Sequence, residues 1–195
     1  TDLLAYSRVG RAGDDRPVAV AQALEAVLAD LQFEIEECGA TITVETPLPM
    51  VEGDPGEMER LLQNLLGNAL KYRDADRAPL VRVACAEDGD MWRFTVADNG
   101  IGIPPEHAER VFGIFQRLHP RDAYEGTGVG LAIARKIVER HGGAIRVEPA
   151  EVGATLSFTW PRPTLDEGGE RPLPPVALRL GVPRAVEAGT GQDRR

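Results

Sequence analysis

Three side chains on one short segment can do chemistry together. Asn64, Asn68 and Lys71 are spaced i, i+4, i+7, so on a helix two carboxamides and one ammonium share a side. A carboxamide oxygen suits a hard cation and an ammonium suits a phosphate oxygen. Lysine is ordinary on a solvated face, but asparagine is a poor helix former, and two of them one turn apart need a reason. A second cluster is Asp98-Asn99-Gly100-Ile101-Gly102, at the end of a β-rich run. Asp98 could accept a hydrogen bond from an exocyclic amine such as that of adenine, and glycines let a ring approach the backbone. Taken alone, Asp-Asn-Gly is equally a turn formula. A third cluster, Gly126-Thr127-Gly128-Val129-Gly130, opens a helix, where backbone amides and the helix N-terminus can hold phosphates. It lacks the signature of a P-loop, and no strand immediately precedes it as a dinucleotide fold requires. Each cluster is weak by itself; together they describe one nucleotide-shaped site.

Other chemistries find little support. The three histidines, His107, His119 and His141, have no cysteine or second histidine at ligand spacing, which argues against zinc and for structural roles. His141, at a helix end, is expected to meet the last helix carbonyls. The two cysteines, Cys38 and Cys85, form no ligand pattern or disulfide framework and read as structural thiols of a reducing compartment. A formal net charge of −9 disfavours a nucleic-acid backbone or an anionic membrane as the main partner. No apolar run approaches membrane-spanning length and no secretory signal opens the chain.

The elements that must position these clusters follow from periodicity. In DPGEMERLLQNLLGNALKYR, residues 54–73, the apolar residues Met58, Leu61, Leu62, Leu65, Leu66, Ala69 and Leu70 form a core-facing helical face. Asp54 suits the N-cap and Pro55 the first turn, and Glu57 stands where its carboxylate can reach back to the cap amide. Residues 17–37 carry apolar positions at Val20, Ala23, Leu24, Val27, Leu28, Leu31 and Ile35, which predicts one continuous helix stopped by Gly39. Residues 41–46 read as a strand, and the segment containing Pro47 and Pro49 as a connection to the next helix. Residues 80–86 and 91–97 form a predicted hairpin around Glu87-Asp88-Gly89-Asp90. A helix over 131–141 ends at Gly142-Gly143, and two strands, 144–148 and 154–160, close the domain. Residues 161–195 hold six prolines and five glycines and are expected to be disordered, with VALRL as a short apolar run.

NLLGNALKYR, DNGIGI, VFGIFQRL and GTGVGLAIARKIVERHGG resemble, in order and spacing, the N box, first glycine box, F box and second glycine box of the sensor histidine kinase catalytic domain. The resemblance covers about residues 17–161, and the wording of LLAYSRVGR, IFQRLH and the second glycine box is most similar to phytochrome-type histidine kinases. It implies an α/β (α+β) two-layer sandwich of about three helices on a mixed sheet of about five strands, with a lid loop over an ATP site. Residues 1–16 would then be the end of a dimerisation-hairpin helix and its linker, 17–161 the ATP-binding domain and 162–195 a tail.

Carried onto this sequence, the resemblance implies that Asn68 ligates Mg²⁺ and that Asn64 orients the reacting group. Lys71 would pair with phosphate oxygens and Tyr72 would flank adenine. Asp98 would bind the adenine amine, with Gly100, Gly102, Ile103 and Leu131 shaping the pocket, and Gly126, Thr127, Gly128 and Gly130 would wrap the phosphates. Arg117 would stabilise γ-phosphate charge, and residues 116–125 would form the lid. Hydrolytic relatives carry a glutamate base one turn before the magnesium asparagine; Asn64 stands there, which favours phosphoryl transfer over hydrolysis. None of the three histidines has the setting of the family's phosphoacceptor, so the acceptor is expected upstream of Thr1, and residues 2–9 read as the stub of the hairpin's second helix. The implied partners are ATP, the hairpin of the parent kinase, which would be a homodimer, and a response regulator receiver domain; the catalytic part is expected to be cytoplasmic. The competing readings are an ATP-sensing module without turnover and a serine-directed anti-sigma-type kinase of the same fold.

Overall fold

The computed structural model describes residues 6–7, 15–118 and 127–163. Its central element is helix α3, defined below, and the chain reaches it through a small ribbon. Strand β1, Arg16–Ala19, pairs antiparallel with β3, Met50–Gly53, in the register Arg16 with Gly53 and Ala19 with Met50. Between them lie helices α1, Val20–Asp30, and α2, Gln32–Cys38, and strand β2, Thr41–Val44. Two expectations are corrected here. The first three residues of the predicted helix 17–37 are extended, because Val18 and its neighbours find β3 as a partner. The helix also breaks at Leu31, the residue that ends the buried face: α1 buries five residues, α2 buries none, and Phe33 is 72% exposed. Burial rather than propensity sets that boundary.

Helix α3, Pro55–Lys71, matches its sequence signals. The Asp54 carboxylate caps it by accepting from the Glu57 amide at 3.0 Å, and Pro55 occupies the first turn. The apolar face expected from periodicity is the buried one: Met58, Leu61, Leu62, Leu65, Leu66, Ala69 and Leu70 all lie within 5% exposure. It packs between α1 and α4, Gly130–Arg140. The remaining strands are β4, Leu80–Asp88, β5, Met91–Asp98, β6, Ile145–Glu148, and β7, Thr155–Pro161. They form a five-stranded sheet in the order β2-β4-β5-β7-β6, parallel only between β2 and β4. The mixed sheet and its helical layer are those the resemblance implied. Between Arg16 and Pro161 the described residues form four α-helices, one more than expected, since the predicted first helix is two.

One polar cluster ties the helical layer to the sheet. The Glu57 carboxylate accepts from Arg140 at 2.7 Å and lies 3.0 Å from His141 Nε2, and Arg140 also pairs with Asp15 at 3.3 Å. The His141 ring stacks on Trp160, whose indole donates to the Glu52 carbonyl at 2.9 Å. His141 was expected at the helix carbonyls; only its backbone amide goes there, to Ile137 at 3.3 Å, while the ring joins Glu57 across the layer. Cys85 is buried in the core, and burial pushes its thiol up to about 12, so it stays protonated and inert, as a structural thiol should.

Leu66, fully buried on α3, is expected to cost about 3 kcal/mol of stability when changed to alanine, from lost transfer energy plus a cavity. Glu57→Ala should cost about 2 kcal/mol by leaving Arg140 and His141 without their shared acceptor. Urea unfolding of each variant measures both, and a Glu57→Ala loss under half a kcal/mol (about 0.5) would remove the cluster from the list of stabilising contacts.

Candidate nucleotide site

The polar side of α3, the end of β5 and the start of α4 meet around one cavity. Asn68, Lys71 and Tyr72 line it from α3, Asp98, Gly102 and Ile103 from the β5 end, and Arg117, Thr127, Gly128, Gly130 and Leu131 from the other side. Eleven of the fourteen residues singled out in the sequence are therefore on its wall. Two others stand one layer behind. Asn64 is not on the wall: its carboxamide nitrogen donates to the Arg60 carbonyl at 2.8 Å, and its oxygen lies against the α-carbon of Gly130, where a Cβ would come within 2.7 Å of it. Gly100 is buried behind Asp98, and a Cβ there would meet the Tyr72 carbonyl oxygen at 2.3 Å. Gly126 lies outside the described residues, as do most of the expected lid, His119 and the tail with VALRL.

Asp98 is the most constrained group of the site. It ends β5, and its Oδ1 accepts from the Gly100 amide at 2.8 Å and from the Ala154 amide at 3.1 Å. Its own amide donates to the Ala154 carbonyl at 2.9 Å. Burial raises its carboxyl above the usual carboxylate range, and the two amides oppose that shift without cancelling it. A purine amine is a fitting partner for such a group, because it can donate a hydrogen bond to a half-buried carboxylate.

The glycine-loop end is built differently. Helix α4 starts at the cavity wall, which Gly130 and Leu131 line, and has no acidic residue in its first turn to compete with an anion there. Gly128, with φ of 72°, sits where a Cβ would come within 2.9 Å of the Gln116 carbonyl and 3.1 Å of Arg117 Cγ. That close approach brings the Arg117 segment alongside the glycine loop. Lys71 donates to the Tyr72 hydroxyl at 3.1 Å, with its ammonium 4.6 Å from that ring's centre. Two cations and one helix start thus border the same space as Asn68.

The sequence reading missed Gln116 and Leu118, which line the cavity beside Arg117, and the Gly153-Ala154 turn, which holds Asp98. The first pair lay within the predicted lid and could have been suspected; the second carries no local signal, since Ala154 is 56 residues from its partner. Among the described residues no group of three or more His, Cys, Asp or Glu could hold a metal, and no helix is long and apolar enough to cross a membrane.

Such a fold, with this cavity between helix, strand end and glycine loop, defines a known class of nucleotide-binding domain. Residues 53–164 match the model of the family described as histidine kinase-, DNA gyrase B-, and HSP90-like ATPase, and the chain belongs to that family. Within it, the chain carries the ATP-binding catalytic domain of a two-component sensor histidine kinase. It is 46% identical over 166 residues to cyanobacterial phytochrome A of Nostoc sp. and 42% identical over 163 residues to the phytochrome-like protein Cph1 of Synechocystis sp.. Each alignment covers 82% of this chain and 21% of the relative, so the chain spans about a fifth of the length of these curated relatives. Among solved structures, the mycobacterial sensor histidine kinase MprB superposes with a TM-score of 0.66 at 29% identity, covering 75% of this chain and 97% of that one. Full-length ShkA in complex with AMPPNP gives 0.68 at 33% identity, covering 82% of this chain and 34% of that one.

Asp98→Asn should weaken ATP binding by about 1 to 3 kcal/mol through loss of a charge-assisted hydrogen bond. Its stability effect should have the opposite sign. A folded-state pKa above the unfolded value means that the native chain holds a proton the unfolded chain has lost, so the contribution to stability is full below 3.8 and falls as pH rises through the raised folded value. Above the raised folded value the ionised Asp98 is a cost, so there Asp98→Asn should unfold at an equal or higher temperature than the parent. Calorimetric titration and thermal unfolding check the pair of outcomes, and unchanged ATP affinity would remove Asp98 from the site.

Proposed function

We propose that this domain binds ATP with adenine on Asp98 and the phosphates at the start of α4, and transfers the γ-phosphoryl group to a histidine on the dimerisation hairpin of its parent protein. A response regulator aspartate then takes the phosphoryl group onward, and a homodimer of the parent presents the hairpin. The observation that carries this reading is the joining, in one cavity, of a doubly pinned, half-buried carboxylate with Lys71, Arg117 and a helix start free of acids.

The roles follow from position and chemistry. Tyr72 and Ile103 wall the base end beside Asp98, and Gly102 and Leu131 complete it. Lys71 and Arg117 offset phosphate charge, and the amides of Thr127, Gly128 and Gly130 suit the phosphate oxygens. The donor set fits Mg²⁺: Asn68 offers one carboxamide oxygen on the cavity wall, and a single protein ligand suits an ion that keeps waters and substrate phosphates for the rest. Bound there, the ion would neutralise charge on the phosphates. Asn64 holds its carboxamide between Arg60 and Gly130 and carries no ionisable group, so no side chain at that position can activate water as a base. This supports transfer to a nucleophilic side chain over hydrolysis.

The test supplies the domain with a separately made hairpin of its parent and γ-labelled ATP. Labelled, acid-labile phosphohistidine should appear on the hairpin. Asn68→Ala should slow its appearance by about a hundredfold or more, the scale of losing one charge-stabilising contact in a transfer site. ATP binding without any transfer over a wide range of hairpin concentrations would leave an ATP-sensing module as the correct reading.

A further inference from the structure

The turn between β6 and β7 decides which oxygen of Asp98 meets the base. Gly153, with φ of 71°, lies so close to the end of β5 that a Cβ would come within 1.9 Å of the Asp98 carbonyl oxygen and 2.7 Å of the Asn99 α-carbon. From the other side, a Cβ on Gly102 would come within 2.8 Å of the Gly153 carbonyl. Two glycines therefore bring the turn and the base-binding loop into backbone contact, and that contact delivers the Ala154 amide to Asp98 Oδ1. With the Gly100 amide on the same oxygen, Oδ1 is occupied by two backbone donors. Oδ2 has no hydrogen-bond partner among the described residues, and Asp98 lines the cavity.

We propose that Gly153 is a positioning residue and that the Gly153-Ala154 turn, by pinning Oδ1 of Asp98, fixes the nucleotide specificity of the domain for a 6-amino purine. The pinned carboxylate presents Oδ2 as an acceptor only, which matches the exocyclic amine of adenine and opposes the carbonyl oxygen of a 6-oxo purine. The same pinning dictates what an amide would do at this position. In Asp98→Asn the carboxamide oxygen stays with the two backbone amides, because turning the amide round would set donors against donors. Its NH₂ then takes the place of Oδ2 and offers a donor to the base, which a 6-oxo purine accepts and adenine's amine does not. The proposal rests on the ATP reading of the cavity and adds to it the element that reads the base.

The experiment compares ATP with inosine triphosphate, its 6-oxo counterpart, by equilibrium titration of the folded chain. The parent should favour ATP by about tenfold to a hundredfold, the worth of one hydrogen bond to a charged group. Gly153→Ala should lower ATP affinity and narrow the preference to within about threefold, since the unpinned carboxylate no longer holds a fixed direction. Asp98→Asn should reverse the preference toward inosine triphosphate, and the double variant should lose it in either direction. Gly89→Ala is the control for backbone strain: Gly89 has φ of 63° with nothing within 4 Å of its Cβ position, so the parent's ratio should persist. A Gly153→Ala ratio equal to the parent's overturns the positioning role. If that variant fails to fold, Asp98→Asn decides alone: reversal supports the pinning, and a retained ATP preference or equal affinity for both nucleotides overturns it. A parent that binds neither nucleotide, or both alike, overturns the ATP reading itself and with it the proposal.

Discussion

Helix α3 must satisfy two surfaces at once, and the rest of the domain follows from that constraint. Its apolar side fills the core between α1 and α4, fully buried from Met58 to Leu70, while its polar side brings Asn68 and Lys71 to the cavity wall. A rotation that exposed Leu65 or Leu66 would carry both polar residues out of register with Asp98 and Gly128. Packing therefore holds these polar groups of the cavity wall in place more firmly than any contact they make themselves. The Asp54 cap fixes where the helix starts, and the Glu57 cluster with Arg140, His141 and Trp160 fixes how it lies against α4 and the sheet.

The Asp98 end of the cavity is held by backbone rather than by side-chain packing. At Gly100 and Gly153 the chain approaches another backbone segment more closely than any Cβ would permit. These contacts join the end of α3, the end of β5 and the β6–β7 turn. The result is a half-buried carboxylate directed by two amides, at a cost in stability that its partial burial imposes. That cost is the signature expected where binding, not folding, selects the residue.

What the sequence made legible was whatever depends on neighbours within one or two turns. The α3 face, its Asp54 cap, the hairpin of β4 and β5 and the Gly142-Gly143 stop are local patterns, and all appear as read. The ribbon of β1 and β3 was illegible because Arg16–Ala19 looks like the opening of an apolar helix until Met50–Gly53 is beside it. The break at Leu31 was hidden for a similar reason: periodicity continues to Ile35, but the surface that would bury it does not. For the site, the side chains that touch the cavity were recognisable by type and motif, whereas the residues that aim them were not. Gly153 and Ala154 lie far along the chain from Asp98, and nothing in their own spacing announces the contact.

Net charge gives a misleading picture of what this chain can bind. A net charge of −9 disfavours a polyanion at long range. Yet surface charges are screened over about 8 Å at physiological ionic strength, while charges at the wall of a partly enclosed cavity are screened far less. Among the described residues that line the cavity, Asp98 is the sole acid, against Lys71 and Arg117 and the acid-free first turn of α4. The one negative charge stands at the end where a neutral base needs an acceptor, and the positive groups belong to the glycine-loop side and the α3 stripe. Local sign, not the sum over the chain, therefore decides the ligand, and it favours a molecule with a hydrogen-bond donor at one end and several negative charges at the other.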